Sequence, residues 1–271
     1  MPTYRGGQFV ARAIDSVLVQ TFRDFELIIV DDNSPDDTAS IVARYDDPRI
    51  RFVRNPRNLG PEGNWNRCLD EATGRYFKLL HQDDVLAPEC LASQVSILEA
   101  DLAQEIALTF CARNIIDADD RVIMVRRYPC GRAGRISGTG LIRRCMRWGT
   151  NLVGEPAGVL FRLALARKVG KFNAEVPYVT DLDYWVRLLL QGDAHYEPAS
   201  FVSYRVSAGS WSVAIGKRQT ADFNRFMAKV SRRPELQARR ADLLTGRFMA
   251  RLNTFLRMMV YRRVIRRERR A

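Results

Sequence analysis

Two pairs of adjacent aspartates, Asp31-Asp32 and Asp83-Asp84, follow the apolar runs Phe25–Val30 and Tyr76–Leu80. Such runs read as buried strands that deliver carboxylates at their C-terminal ends. Neighbouring carboxylates repel each other unless a cation lies between them. Two pairs on one sheet edge therefore point to a site for a cation and for the anion it neutralises. Acids at strand ends also cap helices, and Asp36 and Asp37, within Ser34-Pro35-Asp36-Asp37-Thr38, read that way. The five cysteines (Cys68, Cys90, Cys111, Cys130 and Cys145) form no CxxC pair. They read as reduced thiols of a cytoplasmic protein, mostly core filler, and not as a zinc site.

The elements that must carry these acids alternate. Phe9, Val10, Ala13, Ile14, Val17 and Leu18 recur at helical spacing before the first acidic strand. A helix through Tyr45, a short strand Ile50–Val53 and a helix from about Glu62 to Ala72 separate it from the second. Pro88 opens a further helix with Leu91, Val95 and Leu98 on its inner face. This order predicts an α/β fold, a doubly wound, mostly parallel sheet with helices on both faces. Ligands of such sheets bind beyond the carboxyl ends of the strands. Past Ala100 the alternation loosens. Ile106–Phe110, Val122–Val125 and Ala157–Phe161 read as strands, Gly131–Gly140 as a mobile loop leading into a helix near Leu141–Trp148, and Leu182, Trp185, Val186, Leu189 and Leu190 as a helical stripe.

The chain has 271 residues, 46% of them apolar and 27% charged, a composition that excludes a disordered or collagen-like protein. It contains no apolar run long enough to span a bilayer. Its net charge of +12 invites a nucleic-acid reading, but nine Arg against one Glu lie between Arg247 and Ala271, so two-thirds of the excess sits in that tail. Nucleic-acid binding calls for basic and aromatic residues spread over a broad surface, so that reading is set aside.

Seven segments in order carry a resemblance: Pro2-Thr3-Tyr4; Ser16 through Leu27; Val30-Asp31-Asp32-Asn33-Ser34; Asn58-Leu59-Gly60; His81-Gln82-Asp83-Asp84; Ala157 through Arg162; and Thr180-Asp181-Leu182-Asp183-Tyr184-Trp185. Over about residues 2–206 the sequence resembles the family 2 glycosyltransferases, inverting enzymes of the GT-A fold that use nucleotide-sugars. The resemblance implies a GT-A domain over 1–215, with a nucleotide-sugar half (about 1–110) and an acceptor half (about 111–215). A basic helical extension over 216–271 follows.

The resemblance also implies roles. Pro2, Thr3 and Tyr4 line the nucleobase pocket, Asp32 contacts base or ribose with Asp31 as support, and Asn58 and Gly60 belong to the same donor site. Asp83 and Asp84 are the metal-binding acids for Mn²⁺ or Mg²⁺, which neutralises the departing diphosphate. Many relatives have Asp where His81 stands, so His81 is a further ligand or a polar pocket residue. Asp181 is the expected general base that deprotonates an acceptor hydroxyl, with Asp183 in reserve. Asn151-Leu152-Val153-Gly154-Glu155-Pro156 resembles an acceptor-side loop, in which Glu155 binds an acceptor hydroxyl or is a surface acid. Trp185 is core or stacks on a sugar. Near the domain end Ser207 replaces a common His, which shifts the expected phosphate contact to Arg205. The second histidine, His195, reads as a half-exposed strand residue.

Relatives begin with a short apolar strand before Pro-Thr-Tyr, whereas Met1 stands there here. That first strand is accordingly expected to be missing and the native chain to begin upstream. From Leu252 to Ile265, apolar residues alternate with Arg257, Arg262 and Arg263, followed by Arg266, Arg267, Arg269 and Arg270. Such a segment either lies on an anionic membrane, as suits a lipid-linked acceptor at the inner face of a membrane, or is a packed helix with a solvated end. The functional expectation is transfer of a sugar to a glycan or lipid-linked acceptor. A catalytically silent nucleotide-sugar-binding relative is the alternative.

Overall fold

The computed structural model describes residues 1–129, 131–207 and 216–268. Cys130, Arg269 and Arg270, and the side chains of Arg266 and Arg267, lie outside the described residues.

The first half alternates as its hydrophobic pattern requires. Strand β1 (Pro2–Thr3) is followed by α1 (Val10–Leu18), β2 (Leu27–Asp31), α2 (Thr38–Val42), β3 (Ile50–Arg54) and α3 (Gly60–Glu71). β1, β2 and β3 form a parallel sheet with β2 in the centre. Every residue of β2 is buried, which is why its sequence is apolar throughout rather than alternating. Ile28 and Val30 pack toward Cys68 and Leu69 of α3, whereas Leu27 and Ile29 pack toward Val10, Ile14 and Val17 of α1. The strand expected to be missing is present as a stub. Met1 is buried, its amino group donates to Ile28 O at 2.5 Å, and Pro2 and Thr3 pair with Val30 and Asp31. Even this short edge satisfies backbone groups of β2 that would otherwise be unpaired.

Beyond α3 the chain continues with β4 (Tyr76–Phe77), β5 (Val85–Leu86), α4 (Cys90–Ala100), β6 (Ile106–Ile116) and β7 (Val122–Arg126). It goes on through β8 (Gly134–Ile136), α5 (Gly138–Trp148), β9 (Val159–Arg162), α6 (Leu163–Val169), α7 (Thr180–Leu189) and β10 (Asp193–Arg205). The last helices are α8 (Gln219–Val230) and α9 (Arg240–Glu268). These strands build a seven-stranded sheet around the long parallel pair β6–β10, with the shorter strands antiparallel around it. Two differences from the sequence pattern have physical causes. The Gly-rich stretch contains β8, held by pairing with β10, a non-local partner that local composition does not report. β10 itself is half-buried along much of its length, so it lacks a clean apolar signature.

The C-terminal helices are not a detached appendage. Phe223, Phe226, Met227, Val230, Leu236 and Ala250 share one buried cluster with Phe110 and Trp185. α9 approaches α5 so closely that a Cβ on Gly246 would overlap the Met146 carbonyl. Helix propensity favours Gly246→Ala by up to ~1 kcal/mol, whereas the contact requires a backbone shift. We expect a net loss of about 1–3 kcal/mol, a fall of several degrees in Tm by calorimetry. A gain in Tm would mean that the two helices are not in this register.

Candidate active site

The C-terminal end of β1, the loops after β2 and β3, the segment after β4, the loop before β9 and the start of α7 surround a cleft of about 990 Å³. Pro2, Thr3, Tyr4, Asp32, Asn58, Leu59, Gly60, His81, Gln82, Asp83, Asn151, Glu155 and Asp181 all line it. Residues from distant parts of the sequence thus converge on one cleft.

At one end Tyr4 leaves 41% of its surface exposed, an aromatic face available for stacking. Its backbone is gripped by Gln82, whose side-chain carbonyl accepts from Tyr4 N at 2.8 Å while its amide donates to Tyr4 O at 2.9 Å. This two-way clamp ties the first sheet to the second acidic segment. Gln82 was not singled out from the sequence, because its position inside the motif gave no chemical signal. Asp32 accepts from Asn55 Nδ2, Leu59 N and Gly60 N at 2.8–2.9 Å. It therefore fixes the start of α3 and retains about one free acceptor position. Asp31 does not line the cleft. It is fully buried and accepts from Ser34 and Thr3, with Arg54 at 3.4 Å, so it stands behind Asp32 and not in the donor cleft itself.

The second acidic pair divides its labour. Asp83 lines the cleft, whereas Asp84 is wholly buried, accepts from Arg205 N at 3.1 Å and lies 3.7 Å from His81 Nδ1. Burial raises both carboxyls; for Asp84, His81 opposes the shift and repulsion from Asp83 adds to it, bringing it to about 6. Burial alone would lower His81, but Asp84 and Asp83 outweigh it and hold the imidazole above its ordinary value. His81 Nε2 is buried without a hydrogen-bond partner, and the ring lies 4.9 Å from Trp65, centroid to centroid. Among the described residues no three His, Cys, Asp or Glu side chains form a ready metal cluster. An orphaned imidazole nitrogen and a cleft carboxylate nevertheless fit Mn²⁺. The expected pair of metal acids is split: Asp83 lines the cleft, whereas Asp84 is wholly buried behind it with its Oδ2 likewise lacking a hydrogen-bond partner.

Arg205 is likewise corrected. Its guanidinium is fully buried and donates to the carbonyls of Asp83, Asp117 and Ala118 and to the Asp120 carboxylate, at 2.5–3.3 Å. Packed on Phe9 at 4.5 Å, with four of its five N–H donors committed, it is fully buried and does not line the cleft. It clamps the Asp83-Asp84 segment in place.

Asp181 sits in the first turn of α7. One oxygen accepts from Leu182 N at 2.7 Å and the other from Asn151 Nδ2 at 2.9 Å. Burial raises its carboxyl to about 7, Glu155 adds to the rise, and the Leu182 N–H, Asn151 and His81 pull against it. Glu155 forms an ion pair with buried Arg113, so it is neither a solvated surface acid nor an unpaired acceptor. Asp183 faces away: it pairs with Arg187 at 2.9 Å in a separate groove of about 350 Å³ beside Lys171 and Lys229. Helical geometry separates residues two apart by about 200°, so only one of the two acids reaches the cleft. Trp185 is fully buried and its indole N–H donates to Gly154 O at 3.0 Å. It anchors the Asn151–Glu155 loop and cannot stack on a sugar.

Several cleft residues gave no signal in the sequence: Met124 and Arg126 of β7, Tyr178, Phe223 of α8, and Asn253, Leu256, Arg257 and Tyr261 of α9. α9 reaches the cleft only because the chain folds back on α5.

Comparison with known proteins gives concordant matches. The profile described as glycosyl transferase family 2 matches residues 1–148. An uncharacterized Mycobacterium tuberculosis protein, MT1568, is 31% identical over 225 residues, 79% of this chain and 68% of its own length. WfgD of Escherichia coli, a UDP-Glc:alpha-D-GlcNAc-diphosphoundecaprenol beta-1,3-glucosyltransferase, is 35% identical over 98 residues, 36% of this chain and 39% of WfgD. The mannosyltransferase PcManGT from Pyrobaculum calidifontis, solved with GDP-Man and Mn²⁺, superposes with a TM-score of 0.67 at 17% identity over 92% of this chain and 68% of that one. This shared geometry identifies the fold. The chain spans between about a third and two-thirds of the length of the first curated relatives it matches.

A buried carboxyl at about 7 has a consequence for stability. The unfolded chain releases the same proton near 3.9, so native Asp181 costs stability as pH rises from about 4 to 7 and at a constant level above. The Tm of Asp181→Asn minus that of the wild type should therefore grow between pH 5 and pH 8. A difference independent of pH would show that ionisation of this carboxyl is not disfavoured.

Proposed function

The chain belongs to glycosyl transferase family 2, and from that membership we propose that it moves a sugar from a nucleoside-diphosphate-sugar to a hydroxyl of a glycan on a lipid-linked acceptor, with inversion at the anomeric carbon. The observation that carries this reading is a carboxyl raised to about 7, Asp181, in the same cleft as Tyr4, Asp32 and Asp83. A base poised near neutral pH is ionised often enough to accept a proton and basic enough to hold it.

In this reading the nucleobase stacks on Tyr4, and the edge of the nucleoside meets Asp32 and Asn58. The acceptor hydroxyl gives its proton to Asp181 as its oxygen bonds to the anomeric carbon, and the bond to the nucleoside diphosphate breaks on the opposite face. Asn151 and the Leu182 N–H hold the carboxylate at the angle needed to receive the proton. Asp83 and His81 Nε2 would hold a divalent cation, as suggested by PcManGT, which was solved in complex with GDP-Man and Mn²⁺; when bound, it would supply positive charge to the departing diphosphate. Lipid-linked acceptors are suggested by the name of WfgD.

A membrane-facing surface supports the same reading. On α9, Leu244, Phe248, Leu252, Phe255 and Met259 are exposed, at spacings of four, four, three and four residues, which gathers them on about a quarter of the helix circumference. Exposed Arg247, Arg251, Arg262 and Arg263 accompany them, a pairing that suits an anionic bilayer surface. Tyr261 and Val264, apolar residues of the same tail, pack inward against Ile115 and Val206 instead. Among the described residues no helix is long and apolar enough to cross a membrane.

Two measurements test the proposal. With Mn²⁺ and a panel of UDP- and GDP-sugars, Asp181→Asn should lower donor turnover by about 10²–10⁴-fold, while stabilisation by UDP or GDP stays as in the wild type. The wild-type rate should rise with pH and level off near pH 7. An Asn variant with unimpaired turnover would remove Asp181 from the reaction. In sedimentation with phosphatidylglycerol vesicles, the double variant Phe248→Glu/Phe255→Glu should stay in the supernatant while the wild type pellets. Equal partitioning would eliminate the membrane-facing role of α9.

A further inference from the structure

The part of the cleft beyond Asp181 has a chemistry that donor binding does not require. Arg126 ends β7 directly across from Arg113 of β6, and its side chain lines the cleft. Arg113 is committed to Glu155. Arg257 of α9 donates to the Tyr178 hydroxyl and to Gln219 Oε1 and lies over the Tyr178 ring at 5.6 Å. The Arg126 guanidinium makes no hydrogen bond or ion pair with any described residue. Burial lowers its pKa, and repulsion from Arg113 and Arg257 outweighs the pull of Glu155. Three guanidinium groups therefore lie around one carboxylate, and the half-exposed Arg126 is the one that lines the cleft without an ion-pair partner of its own. The surrounding wall is apolar, formed by Ile115, Met124, Val206, Leu256 and Val260.

We propose that this region is an acceptor subsite in which Arg126, with Arg257 beside it, receives a phosphate or diphosphate group whose hydrocarbon substituent lies along Met124, Leu256 and Val260. A guanidinium with free donors matches phosphate oxygens in a bidentate manner, and an anion there offsets a repulsion already built into the fold. Arg126, Glu155 and Asp181 line the same cleft, so this subsite is continuous with the expected base. The proposal rests on the glycosyl-transfer reading for its assignment to the acceptor but not for its ligand chemistry.

The test uses the full chain and three probes: farnesyl diphosphate, inorganic pyrophosphate and farnesol, each titrated in a thermal-shift assay with UDP or GDP present to fill the donor end. Farnesyl diphosphate should bind most tightly, with pyrophosphate weaker and farnesol weakest. Arg126→Gln should weaken farnesyl diphosphate at least tenfold and Arg126→Lys by less, with UDP and GDP binding unaltered in both. Leu256→Asp should weaken farnesyl diphosphate and leave pyrophosphate as it was. Unaltered farnesyl diphosphate binding in a folded Arg126→Gln protein would overturn the proposal. So would an equal loss of UDP or GDP binding, because that assigns Arg126 to the donor. If Arg126-dependent binding holds while Asp181→Asn keeps full turnover, the anion site stands and the assigned base falls; the converse result removes the anion site alone.

Discussion

Desolvation of carboxylates is the constraint on which this structure turns. The Asp83-Asp84 pair and Asp181 enter the cleft region from two separate segments, and burial pushes the pKa of each carboxyl upward. A fold gains nothing in stability from such a gathering. The acids are kept in place by neutral donors and by a single imidazole: Asn151 and the Leu182 amide at Asp181, the Arg205 amide and His81 at Asp84. Neutral donors position a carboxylate without fully satisfying its charge, and this leaves it available for a proton or a cation.

The arginines show the complementary economy. The guanidinium of Arg205 is spent on three carbonyls and Asp120, and that of Arg113 on Glu155. Both serve as internal braces, one beneath the Asp83-Asp84 segment and one beneath the Asn151–Glu155 loop. Their buried charges are matched by fixed partners, as buried charges must be. Arg126 breaks the pattern. It is a half-exposed cation on the cleft wall with no such partner among the described residues, so its donors stay open to an anion.

Two tethers hold the site together, one between the sheets and one between α3 and the first sheet. Gln82 joins the backbone beyond β1 to the acidic segment after β4, and Asn64 of α3 donates to both Thr3 O and Val30 O. Trp185, with no exposed surface, sets the height of the acceptor-side loop through Gly154. These residues touch no reacting group, yet each fixes the relative position of elements that do. Their amide and indole groups give exact registry because an unmet buried donor is costly.

Much of the donor half was legible in the linear pattern. β2 and α1 are local objects: a continuous apolar run buried on both faces and an apolar stripe at helical spacing. Asp31 and Asp32 leave the end of β2, whereas Asp83 and Asp84 lie between β4 and β5 of the other sheet, so the two pairs meet through the packing of two sheets and not along one edge. Which acid of each pair faces the cleft did not follow. Asp31 and Asp32, Asp83 and Asp84, and Asp181 and Asp183 are chemically equivalent in the sequence; strand pleat, turn geometry and the turn of α7 separate the cleft-lining member from the other. The roles of Arg205 and Trp185 changed for a similar reason, since a side chain's use depends on partners more than a hundred or about thirty residues away. The amino-acid order by itself determined which elements form and where carboxylates leave the sheet. Tertiary structure alone decided which charges keep a free side, because only packing removes water from one face of a residue and leaves it on another.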